Sequence, residues 1–177
     1  MAAVLPDSLS KYWEQFRLTG FPNGTIDGCT ARQGIRYILS SAQLLALQTT
    51  AVTLVPAPVT TGGIPVPPAG FVFVPTALRA EYVYNSTAYT IANADNAFQI
   101  EYVGKTTALL NMTVTGLVDQ TASTFAGAAT TIGTSKISVA NCANLGLEIK
   151  LIGTGAALTL GNGTVHLGLD YTIVPLF

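Results

Sequence analysis

Thr164-Val165-His166-Leu167-Gly168-Leu169-Asp170-Tyr171-Thr172-Ile173-Val174 alternates without a break. Val165, Leu167, Leu169, Tyr171 and Ile173 fall on one side, and Thr164, His166, Gly168, Asp170 and Thr172 on the other. The two-residue period of a strand turns that pattern into one buried face and one outward face. Asn162-Gly163, just upstream, has the residue types of a tight hairpin turn.

Shorter segments of the same kind run back towards residue 35. They cover Arg36–Ser40, Ala51–Val55, Phe71–Val74, Arg79–Asn85, Tyr89–Ala92, Phe98–Val103, Leu109–Thr115, Lys136–Ala140, Leu145–Ile152 and Ala157–Leu160. Ser41–Leu47 reads either as a helical turn or as an extended edge. Thr60–Gly70, rich in Gly and Pro, and residues 121–135 read as loops. Ten or so short strands separated by turn residues predict an all-β domain, a two-sheet antiparallel sandwich over residues 35–177.

Composition agrees. The chain has 177 residues, one domain's length, with 24 Thr, 17 Gly and 9 Pro. Thr, Val, Ile, Tyr and Phe suit a pleated, half-buried surface, and Glu and Lys are scarce. Charged residues make up 10%, against roughly 25% in an ordinary soluble domain. A charge-rich disordered chain is excluded, and the net charge of -1 offers no basic footprint for nucleic acid.

No run approaches the roughly 18 apolar residues of a membrane span. Met1–Pro6 is followed by Asp7, with no basic n-region, so the product is expected to stay in the compartment that makes it. The sequons at Asn23, Asn85, Asn111 and Asn162 then read as coincidence. Cys29 and Cys142 lack metal or redox spacing and read as two idle thiols.

Residues 1–34 differ from the rest. Lys11, Arg17 and Arg32 face Asp7, Glu14 and Asp27, and the one Trp lies in Tyr12-Trp13-Glu14-Gln15-Phe16-Arg17. Asp7-Ser8 is placed to cap a short helix over residues 8–17, with Leu9, Tyr12, Trp13 and Phe16 on one face. This N-terminal arm is expected to need something to pack on, either a partner or, with Trp13 and Phe16 folded back, the sandwich of its own chain. Tyr12, Trp13, Phe16 and Arg17 are its candidate contact residues, because aromatic and Arg side chains dominate interfaces.

Catalytic chemistry is hard to find. The single His166 has Asp170 on the same strand face, but four residues of strand separate them by about 13 Å. Gly104-Lys105-Thr106 imitates the end of a phosphate-binding loop without its first glycine, and reads as a hairpin turn. Gly153-Thr154-Gly155 is likewise a turn. Glu81, Glu101, Glu148 and Asp170 sit on different strands and read as scattered solvated charges rather than a paired-carboxylate centre. Asn93-Ala94-Asp95-Asn96 lacks the ligand spacing of a calcium loop. No enzyme, cofactor or metal site is expected.

One resemblance bears on function. Ile38-Leu39-Ser40-Ser41-Ala42-Gln43-Leu44-Leu45-Ala46-Leu47, continuing through Val52-Thr53-Leu54-Val55-Pro56-Ala57-Pro58, resembles the opening of head-decoration (cement) proteins of tailed bacteriophages. Tyr89–Tyr102 and Leu169–Val174 look similar as well, so the resemblance covers about residues 35–175. Val59–Pro68 departs from it where a glycine-lysine step is expected, and residues 1–34 match nothing in it. The resemblance implies a jelly-roll sandwich on the capsid exterior, bound to the major capsid protein and often a homotrimer. A trimer is also the closed form that buries a low-charge perimeter at a three-fold site. The alternative is another phage structural part: a head fibre base, a tail component or a carbohydrate-binding receptor module.

Overall fold

The computed structural model describes residues 32–55, 70–129, 137–155 and 157–176. The chain divides at Ala31/Arg32, and the sheets belong to the unit from Arg32 onward. The described residues are all-β, built from antiparallel sheets with one short α-helix among them.

Strand β10, Thr164–Pro175, runs between β1, Arg32–Leu39, and β3, Phe71–Val83, and β7, Thr124–Ala129, lies beyond β3. The expected alternation holds: Val165, Leu167, Leu169, Tyr171 and Ile173 are buried. The second sheet has the order β2, β8, β5, β6, with β2 at Val52–Val55, β8 at Leu147–Ile152, β5 at Ala97–Tyr102 and β6 at Leu110–Thr113. A two-stranded ribbon pairs β4, Tyr89–Ile91, with β9, Leu158–Leu160. Tyr102 on β5 donates its hydroxyl to the Phe73 carbonyl on β3 at 2.6 Å, joining one sheet to the other. The Phe73 ring meets Tyr171 edge to face at 5.1 Å. Burial pushes the Tyr102 phenol well above its usual range.

Several expectations need correction. Phe71–Val74 and Arg79–Asn85 are one strand, not two. Pro75 has no N–H for the ladder, and the register slips by one residue there, with Asp170 opposite Ala77 and Tyr171 opposite Pro75. A bulge of this kind lets proline sit inside a strand. Residues 124–129, read as loop, form β7. Its small residues hide the alternation, but they pair in register with Ala77–Tyr82. Residues 137–140 are not a strand: Val139–Asn141 is one turn of 3-10 helix. Asn162-Gly163 makes no hairpin, because β9 pairs with β4 rather than with β10. Ser41–Ala46 is helix α1. The loop of residues 60–69 and residue 136 lie outside the described residues.

Candidate interaction surface

Tyr12, Trp13, Phe16 and Arg17 lie outside the described residues, as does Cys29. Among the described residues the surface with most to say is one end of the two sheets. There β1 leads to β2 through 40–51, β3 to β5 through 84–96, β6 to β7 through 114–123, and β8 to β10 through 153–163.

These four connections hold each other. Helix α1 starts in a reciprocal cap: Ser40 Oγ accepts from the Gln43 N–H at 3.3 Å, and Gln43 Oε1 accepts from the Ser40 N–H at 2.9 Å. Its Leu44 and the following Leu47 are buried, with Tyr89, Leu117, Val118 and Leu158 forming further apolar burial beneath the loops. Asn162 is the clamp. Its Oδ1 accepts from the N–H groups of Ser86 and Thr87 at 3.1 and 3.0 Å, and its Nδ2 donates to Ser86 Oγ at 2.8 Å. Tyr89 donates its hydroxyl to the Gly163 carbonyl at 2.7 Å, and burial pushes its pKa up to about 12. Gly163 is there for closeness, since a Cβ would stand 2.4 Å from the Tyr82 ring and 2.6 Å from the Val83 carbonyl.

The same rigid end exposes large apolar side chains. Ile38 is 58% exposed, Leu45 41%, Phe125 67% and Leu160 69%. Ile38, His166, Glu81 and Phe125 stand in register across four strands, one row on the outer face of the first sheet. The Phe125 ring lies over Gly127. Leu45 and Leu160 sit on α1 and β9, which pack together. Leu160 has φ +57°, followed by Gly161 at +70°, a left-handed conformation that costs a side-chain-bearing residue about 1–2 kcal/mol. The four connections contain no Lys or Arg and two acids, Asp95 and Asp119. Asp95 accepts from the Thr154 N–H, and Asp119 from the Gly116 N–H and Gln120 Nε2.

The groups considered for catalysis are engaged elsewhere. Asp170 forks onto Arg79 at 2.7 and 3.1 Å, and that hydrogen-bonded pairing raises the Arg79 pKa. His166 Nδ1 stands 3.9 Å from Glu81 Oε2, both half exposed, a contact worth little in water. Glu101 corrects the expectation of solvated carboxylates: it is 1% exposed, 2.5 Å from Lys150 Nζ, and accepts from Gln99 Nε2 at 2.9 Å. A buried charge needs such partners. Glu148, opposite Glu101 in the ladder, accepts from the Gly104 N–H, placing Gly104-Lys105 in the β5–β6 hairpin as expected. Among the described residues no cluster of His, Cys, Asp or Glu is suited to a metal.

At the opposite end, a cleft of about 230 Å³ is lined by Val72, Val74, Tyr102, Leu109, Ile137 and Cys142. The Cys142 thiol is free, and burial raises its pKa. A raised pKa favours the thiol over the thiolate. No family model, no curated protein and no solved structure matches the chain.

Sequence reasoning missed the exposed apolar set and the buried Glu101. Ala97-Phe98-Gln99-Ile100-Glu101-Tyr102 alternates like a half-exposed strand, yet all six residues are buried. No residue pattern announces that. The Leu160-Gly161-Asn162-Gly163 run was the one available signal for an unusual turn.

Proposed function

We propose that this chain is a structural virion protein that decorates a tailed-phage head, a jelly-roll cement subunit rather than an enzyme. The observation that carries the proposal is strand order. With the β4–β9 ribbon set aside, the orders β1-β10-β3-β7 and β2-β8-β5-β6 support a reading as two Greek keys, as in the eight-stranded jelly rolls of viral capsid and lectin domains. Fold alone does not select among those roles. The resemblance of residues 35–175 to head-decoration proteins makes the selection, and the engagement of the titratable groups in structural contacts is consistent with it.

In this account the subunit binds the major capsid protein on the capsid exterior as a homotrimer. It stabilises the shell because it binds only the assembled state. The arm supplies the anchor through Tyr12, Trp13, Phe16 and Arg17. Nucleic acid, membrane and cofactor play no part. Purified protein added to heads lacking it is expected to bind saturably and to raise the temperature at which the shell opens. A variant lacking residues 1–30 keeps its melting temperature and loses head binding. Absence of binding to assembled heads overturns the proposal, and full occupancy by the truncated protein overturns the anchor.

A further inference from the structure

We propose that Gln99, Glu101 and Lys150 form a self-acting cross-linking site, at which Lys150 becomes joined to Gln99 by an amide bond. The site lies within one chain and is independent of the capsid reading.

Three observations carry it. Lys150 on β8 stands directly opposite Gln99 on β5, and Glu101 lies two residues further along β5 on the same face of the strand. One carboxylate then holds both groups. Glu101 Oε1 is 2.5 Å from Lys150 Nζ, and Glu101 Oε2 accepts from Gln99 Nε2 at 2.9 Å. An amine and a carboxamide are thus kept side by side on two hydrogen-bonded strands. Holding two reactants in place removes much of the barrier to a reaction that is very slow between free groups. The third observation is burial: Gln99 is 6% exposed, Glu101 1% and the Lys150 side chain 24%. Protons can pass among the three groups directly, with little water to compete for the amide.

The geometry gives each group one task. The Lys150 ammonium passes a proton to the Glu101 carboxylate it touches, which frees the Nζ lone pair. Nζ adds to the Gln99 Cδ. As the adduct collapses, a second Nζ proton moves to Nε2, the Cδ–Nε2 bond breaks and ammonia leaves. One C–N bond forms and one breaks, and nothing is oxidised or reduced. A buried ion pair, costly to keep out of water, gives way to a neutral amide beside a neutral Glu101. The link would close residues 99–150 into a loop and so restrict the unfolded chain, as a disulfide does.

The fold carries its own control. Lys105 Nζ donates to Asn141 Oδ1 at 3.2 Å, again an amine on a carboxamide, but in an exposed position. Among the described residues no ion pair joins Lys105 to a carboxylate, and the neighbouring Glu148 accepts from the Gly104 N–H. That pair should stay unlinked.

Mass spectrometry of the full chain tests the proposal. The natural chain is expected to be lighter than its sequence by one ammonia, about 17 Da. Trypsin should release residues 80–105 and 137–177 as one branched species, uncut after Lys150. Lys150→Arg keeps a positive charge beside Glu101 and should show the full mass, as should Gln99→Met and Glu101→Gln. Lys105→Arg should still lack one ammonia. A natural chain at full mass after prolonged incubation of the folded protein, with the two peptides separate and Lys150 cleaved, overturns the proposal. A link that forms as completely in Glu101→Gln, or one that joins Lys105 to Asn141, overturns the role given to the carboxylate.

Discussion

The two ends of the sheets solve the same problem of turning the chain in different ways. At the end with the four connections, loops far apart in sequence lock onto one another, and the close approach of Gly163 to Tyr82 leaves no room for a side chain. Its few charges are spent internally, and its apolar side chains remain outside. At the other end charged groups work in the turns: Lys105 Nζ donates to Asn141 Oδ1, and the Gly104 N–H to Glu148. There Gly104 is needed for its φ of +72°, with nothing within 4 Å of where a Cβ would stand. Gly163 at the first end is thus required by close contact, and Gly104 at the second by local conformation.

The largest effect that separates the two ends is at these glycines. Gly163→Ala should lower stability by about 3 kcal/mol, because neither the Tyr82 ring nor the Val83 carbonyl can retreat cheaply. Gly104→Ala should lose about 1 kcal/mol, the conformational term alone. Urea unfolding of both variants measures the gap, and equal losses break the comparison. Asn162→Ala should lose about 1 kcal/mol, since it removes the hydrogen bonds that tie the exposed Ser86 and Thr87 N–H groups to the 153–163 connection and leaves those groups to water. Ser40→Ala should lose about 1 kcal/mol by removing the α1 cap, with Ser40→Asp recovering most of it.

The smallest effect is alkaline. Tyr89 keeps its proton to about pH 12 in the folded chain, against 10 for a free phenol. A group whose folded pKa is raised lends stability that is complete below the unfolded value and fades as pH climbs towards the folded one. Melting temperature should therefore be insensitive to the Tyr89 phenol below about pH 9 and fall between about 10 and 12. Tyr89→Phe should flatten that fall.

What was legible in the sequence reflects the same contrast. β10, β8 and β5 announce themselves because an alternating core face is a local pattern. β7 does not, since Thr, Ala and Gly alternate in position without alternating in polarity, and its existence depends on pairing with β3. Pro75 divides β3 for any reader of residues, because the bulge that accommodates it is visible only against β10. Burial of Glu101 depends on Lys150, 49 residues away, and exposure of Leu160 on how β9 pairs with β4. These are properties of packing between distant segments. The arm residues Tyr12, Trp13, Phe16 and Arg17 were legible as a pattern, and their role is a matter for binding measurements.

A density map of the assembled head tests the central claim most directly. It should place this all-β domain on the outside of the shell, with residues 1–31 reaching the capsid. Density for this chain in the tail, or a domain on the shell that residues 1–31 do not tie to the capsid, would contradict the account.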